Sequence, residues 1–170
     1  MARALHLYCK ALEALIAAGL AVMVVLVFSN VVLRYAFNSG LDVSEELSRW
    51  LFIWITFLGA IVALREHAHL GTDALVSRLP RGGKQLCLVV GYTLMMGTCW
   101  LLLRGSFEQT RINWDVSAPS SGASVAIFYA SGIVFAVSAM LIMAGDLFKL
   151  ASGRASDSDL VLVRDSEDQP

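Results

Sequence analysis

Residues 34–80 read RYAFNSGLDVSEELSRWLFIWITFLGAIVALREHAHLGTDALVSRLP, an apolar stretch between two charged clusters. Between Arg49 and Arg65 stand fifteen uncharged residues. As a helix they would reach about 22 Å at ~1.5 Å per residue, short of the roughly 30 Å of a bilayer's hydrocarbon. A span here must borrow length from its flanks, and starting it near Val43 suffices. Glu45, Glu46 and Arg49 then fall in the first two turns, at or just inside the membrane surface, where each charge needs a partner.

The rest of the chain agrees with a membrane reading. Of 170 residues, 57% are hydrophobic and only 16% charged, with a mean hydropathy of +0.67, too apolar for an ordinary soluble domain of this size. Uncharged runs recur at 14–33, 50–64, 85–103 and 116–145. The last holds the loop signal Pro119-Ser-Ser-Gly122, so its helix is expected to begin near Ala123. The expected fold is an all-α integral membrane protein with four transmembrane helices at about 12–34, 43–65, 85–104 and 123–148, plus short interfacial amphipathic segments. Residues 1–150 form the membrane domain, and the polar, mostly acidic stretch 151–170 reads as a disordered cytoplasmic tail.

The net charge of −1 points to no partner, but the placement of the charges sets an orientation. Arg3, Lys10, Arg65, Arg78, Arg81, Lys84, Lys149 and Arg154 flank one side, against Arg34, Arg49, Arg104 and Arg111 on the other. That bias puts both termini in the cytoplasm. Cys9, Cys87 and Cys99 form no CxxC pair and read as small membrane-compatible residues.

Within the first span, Ala14 and Ala18, then Ala17 and Ala21, have the spacing of closely approaching helices. Residues 2–13 are expected as a separate short interfacial helix. In the second helix one stripe carries Glu45, Arg49, Phe52, Thr56, Gly59, Ala60 and Ala63. Its small members, Thr56, Gly59, Ala60 and Ala63, predict packing against another helix. Two pairings suit the charged turn: Glu45 with Arg49 four residues on along the same helix, or Arg34 with Glu46 across helices. Beyond Arg65, Leu75, Val76 and Leu79 suit an amphipathic turn on the cytoplasmic surface. His67, His69, Glu66 and Asp73 lack the spacing of a metal set, since alternate residues do not share a helix face, and helix-ending hydrogen bonds are the preferred reading.

Chemistry is sparse. There is no GxSxG, no GxxxxGK[ST] and no HExxH, and no enzyme is expected. Histidines occur only at 6, 67 and 69, outside the span cores, which counts against a haem-bearing electron-transfer anchor. A self-sufficient transporter ordinarily keeps a charged or strongly polar group near the midplane, and here Asn30 and Thr56 are the nearest candidates. No cofactor is expected.

The organising stretch resembles the small membrane subunit of tripartite ATP-independent periplasmic (TRAP) transporters, the DctQ-like family. The resemblance rests on Leu33-Arg34-Tyr35, Asn38, Ser44-Glu45-Glu46-Leu47, the aromatic run before Gly59-Ala60, Arg65-Glu66, His69 with Asp73 four residues on, and Leu79-Pro80. It covers residues 10–150. It implies a bacterial inner-membrane subunit that pairs with a large many-helix permease and serves a periplasmic substrate-binding protein, in sodium-driven uptake of an organic acid. The small subunit would brace the static scaffold and help dock the binding protein. Arg34, Glu46, His69 and Asp73 match the family's recurrent polar positions, the first two at a periplasmic helix junction and the others in a cytoplasmic turn. The rival reading is a small autonomous homodimeric exporter with Glu13 or Glu46 carrying protons.

Overall fold

The computed structural model describes residues 2–65 and 81–151, all of the regular structure being helical: α1 (Ala2–Phe37), α2 (Asp42–Arg65), α3 (Arg81–Ile112) and α4 (Ala126–Ala151). Three are long and apolar enough to cross a membrane, over His6–Phe37, Asp42–Arg65 and Ala126–Phe148. His67, His69, Asp73, the amphipathic turn at 74–79 and the C-terminal tail lie outside the described residues.

The expected interfacial segment and first span are one helix. Residues 2–13 contain no Gly or Pro, and Ala, Leu, Lys and Glu all favour helix, so the change from charged to apolar sequence does not break the backbone. At 36 residues α1 is about 54 Å long, well beyond a bilayer's hydrocarbon. It ends at Asn38, whose φ of 50° is left-handed, a conformation asparagine tolerates better than most residues. The Ser39 N–H then bonds the Leu33 carbonyl at 3.2 Å. α2 starts at once with Asp42 and Glu45 in its first turn and closes on Arg65, each sign at the favourable end of the helix dipole.

α3 runs past its apolar stretch, carrying Arg104, Glu108 and Arg111 into its last turns. α4 begins three residues later than expected, because Ser124 acts as its cap. The Ser124 carbonyl takes the Ile127 N–H at 3.2 Å and its hydroxyl oxygen takes the Ala126 N–H at 3.3 Å.

The helices stand in a row rather than a closed bundle: α1 packs on α2, α2 on α4, and α4 on α3. α4 is therefore the central element, and it buries far more of its apolar face than α1 or α2 does. One apolar cluster joins Leu12 of α1, Ile61 of α2 and Ile142 of α4, with Phe135 against it. A second joins Leu64, Ala139 and Met143, with Met95 and Cys99 of α3 packed alongside. Small residues set the close crossings. A Cβ at Gly19 would lie 3.1 Å from Ile55 Cδ1, and one at Gly132 would collide with the Ser106 hydroxyl. The Ala14, Ala17, Ala18 and Ala21 positions instead face outward, so it is Gly19 that brings α1 against α2.

At the end of the row that holds the first turns of α1 and the last turn of α2, Tyr8 shares a hydrogen bond of 2.9 Å with Ser138, and Arg65 Nη2 lies 3.4 Å from His6 Nδ1. Cys9 is fully buried there. These contacts tie the N-terminal turns of α1 to α2 and α4.

Candidate functional site: a polar junction at the start of α2

At the opposite end of the row, the first two turns of α2 hold α1 on one side and the α3–α4 connection on the other. Successive helical residues point about 100° apart, so adjacent Glu45 and Glu46 face different neighbours.

Toward α1, Asn30 is the pivot. It is only 8% exposed, its Oδ1 accepts the Leu41 N–H at 2.8 Å, and its Nδ2 donates to Glu45 Oε1 at 3.4 Å. Leu41 lies just before α2, so Asn30 satisfies a backbone donor that the helix start leaves without an intrahelical partner. The Ser44 hydroxyl donates to the Leu26 carbonyl of α1 at 2.8 Å. Arg34 Nη1 sits 3.5 Å from Glu45 Oε1, with the two side chains 66% and 53% exposed. An open cleft of about 260 Å³ lies between the helices, lined on its polar side by Asn30, Arg34, Ser44, Glu45 and Ser48. The Ser48 hydroxyl is buried and has no hydrogen-bond partner among the described residues.

Toward the connection, Glu46 Oε2 accepts the Ser120 N–H at 3.1 Å, and Oε1 accepts the Ser121 hydroxyl. The connection is a small hairpin. The Ala118 N–H bonds the Ala123 carbonyl at 2.8 Å, the Val125 N–H bonds the Val116 carbonyl at 2.9 Å, and Gly122 turns the chain with a φ of +70°. Glycine takes that conformation without the Cβ penalty other residues face. The Ser124 hydroxyl donates to the Trp114 carbonyl at 2.7 Å, anchoring the hairpin to the end of α3. Two turns further along α2, Trp54 Nε1 donates to the Ile127 carbonyl at 3.2 Å in the first turn of α4.

Both pairings expected from the sequence are thereby redistributed. Arg34 meets Glu45 instead of Glu46, and the pair is exposed. The reason is register: Glu45 lies on the same side of α2 as Ser44 and Ser48, which face α1, while Glu46 is turned a step away toward the hairpin. Glu45 is engaged by α1, and Arg49 is exposed. Of the small stripe, Thr56 is exposed with its hydroxyl bonded to its own helix at Phe52, a Cβ on Gly59 would meet open space, Ala60 is half-buried and Ala63 is exposed. Within the chain α2 packs instead through Ile61 and Leu64. His69 and Asp73 fall outside the described residues. Sequence reasoning gives Ser44 and Ser48 no hydrogen-bonding role and reads Ser120 and Ser121 only as part of a loop. The four-residue spacing of Ser44 and Ser48, opposite a lone polar Asn30, is the available signal for the first two. No group of three or more metal-ligating side chains occurs among the described residues.

The arrangement can clamp segments together, its carboxylates joining α2 to α1 and to the hairpin. Comparison with known proteins gives the family. A family model described as "Tripartite ATP-independent periplasmic transporters, DctQ component" matches residues 23–153. A Haemophilus influenzae protein assigned as a TRAP transporter small permease is 43% identical over 139 residues, which cover 81% of this chain and 86% of the relative. The C4-dicarboxylate TRAP transporter small permease protein DctQ of Vibrio cholerae is 33% identical over 96 residues, covering 56% of this chain and 41% of that protein. The ectoine TRAP transporter small permease protein TeaB of Halomonas elongata is 36% identical over 80 residues, covering 46% of this chain and 42% of that protein.

Proposed function

The chain belongs to the DctQ component family of tripartite ATP-independent periplasmic transporters, and from that premise we propose that this multi-pass small permease subunit works as a brace rather than as a carrier. The observation that carries the reading is how its polar groups are used. Asn30, Arg34, Glu45 and Glu46 are spent joining α1, α2 and the hairpin to one another, while the apolar faces of α1 and α2 stay largely uncovered within the chain. A frame that must hold its tilt and depth beside a moving neighbour needs such stitched ends and free apolar faces.

In this reading the partner is a large many-helix permease, and a separate periplasmic protein captures the substrate. The subunit lies in the bacterial inner membrane, catalyses no reaction and needs no cofactor. α3 makes a fourth span through its run at 85–103, both termini are cytoplasmic, and the polar junction faces the periplasm. Thr56, Gly59, Ala60 and Ala63 meet the large subunit, the first two and Ala63 being open within the described residues; His69 and Asp73 shape the cytoplasmic turn. Transport is driven by sodium, and the substrate is an organic acid, the class to which the C4-dicarboxylate of the Vibrio cholerae relative belongs. The junction and hairpin also help to seat the binding protein.

The autonomous exporter is not favoured, since the Glu46 carboxylate is held by Ser120 and Ser121 instead of standing open to a proton path. Purification of the tagged chain from its native membranes in mild detergent is the test. One large polytopic permease should come with it in equal amount, and the pair with its binding protein should give sodium-dependent uptake in proteoliposomes. Recovery of the chain only with itself, with uptake by it alone, would overturn the reading.

A further inference from the structure

Four residues of α3, Trp100, Arg104, Phe107 and Arg111, recur at steps of four, three and four and so share one face, and Trp114 follows in the turn after the helix. All five are exposed, the aromatic members by 56% (Trp100), 61% (Phe107) and 67% (Trp114). The side of α3 that meets α4 is a different one, carrying Met95, Cys99 and Ser106. Glu108 and Asp115 each stand one turn beyond an arginine, yet neither guanidinium lies within ion-pair distance of a carboxylate among the described residues. Among the described residues, the helix thus presents a ladder of aromatic rings and cations that the others leave uncovered.

We infer that this ladder is a docking edge for an integral membrane partner whose matching face carries carboxylates beside apolar side chains. The inference rests on reading α3 as a span and the large permease as the partner. Depth selects the occupant. The uncharged run ends at Leu103. At ~1.5 Å per residue Phe107 lies about 6 Å beyond that boundary and Arg111 about 12 Å, with Trp114 in the turn that follows the end of α3 at Ile112. The headgroup layer is only about 5–7 Å thick on each side. Lipid can cover Trp100, Arg104 and Phe107 but not Arg111 and Trp114. A water-soluble protein can cover Arg111 and Trp114 but not Trp100, which precedes the boundary. A membrane-embedded partner that also rises out of the bilayer covers the whole ladder. Tryptophan and arginine are the residue types that dominate protein interfaces, and a guanidinium fork suits a carboxylate in two-point contact. Arginines seven residues apart, about 10 Å along the axis, call for carboxylates at the same interval.

The test is co-purification of the tagged chain with the co-expressed large permease. R104E combined with R111E should lower the large subunit recovered per tagged chain about tenfold, as should F107A combined with W114A. R104K combined with R111K, which keeps the charges, should retain most of it. Full recovery with the first two pairs, together with unchanged affinity for the binding protein, would overturn the proposal and leave the ladder facing lipid and water. Full recovery with lost affinity for the binding protein would overturn it in favour of a soluble partner. A wild-type chain that brings no large subunit would overturn this inference together with the subunit reading, so the two failures are distinguishable. Where a substituted chain is not monodisperse alone, the wild-type complex answers instead. Raising the salt from about 0.15 M to about 1 M, where screening shortens to about 3 Å, should release the large subunit, and full retention would overturn the proposal.

Discussion

Asn30 and Arg34 stand one turn apart on α1 and both reach Glu45, but they should tolerate replacement differently. Asn30→Ala takes the acceptor of the Leu41 N–H from a nearly buried position, and a hydrogen bond of that kind is worth about 0.5–1.5 kcal/mol. Arg34→Ala removes a half-exposed ion pair, whose measured counterparts run from about 0 to 1 kcal/mol. Thermal unfolding of the two variants in one detergent should order them so, and a larger loss for Arg34→Ala would show that the pair, not the cap, secures α2. Glu46 acts on a different segment. Glu46→Ala should speed amide exchange of Ser120 and Gly122 in the hairpin while leaving the Leu41 amide protected, whereas Glu45→Ala should leave the hairpin unchanged. Hydrogen exchange read by mass spectrometry separates the two carboxylates.

At the scale of helices, the α3–α4 crossing depends on an absent side chain. A methyl at Gly132 would strike the Ser106 hydroxyl and come within 3.3 Å of Ser106 Cβ, so Gly132→Ala should cost about 1–3 kcal/mol through overpacking. Adding Ser106→Gly removes both obstructing atoms and should restore much of the lost thermal stability; a double variant no better than the single would place the strain elsewhere. α2 is legible in the sequence because charges bracket its apolar run, and Asp42–Arg65 nearly coincides with the segment expected as a span. α1 and α3 run longer than their apolar stretches for a common reason. A change from apolar to polar residues marks where lipid ends, but a helix continues wherever Glu, Gln, Lys and Arg keep favouring it, as in 104–112. The charged junction is legible as a cluster and not as a set of pairs. Which neighbour each glutamate faces depends on helix rotation, and the partners of Glu46 are 74 and 75 positions away in sequence.

For the whole molecule, the proposed orientation makes a direct prediction. In a chain freed of its native cysteines, Ser117→Cys in the hairpin should react with a membrane-impermeant maleimide added to spheroplasts, and Lys10→Cys should react only after the membrane is opened. The reverse pattern would invert the molecule and move the junction to the cytoplasmic face. The spatial order of the row also bears on how the protein is made. In space α4 stands between α2 and α3, so α3 leaves the ribosome before the helix it packs on exists. From the end of α3 at Ile112 to the end of α4 at Ala151 is 151 − 112 = 39 residues. At about 5–20 residues per second that is a wait of roughly 2–8 s. Throughout it, α1 and α2 can already pair as a finished hairpin, while α3 has its packing face, with Met95, Cys99 and Ser106, turned to whatever the insertion machinery or the bilayer supplies. During synthesis, the segment left without its packing partner is therefore the third helix, held in reserve until the last one arrives.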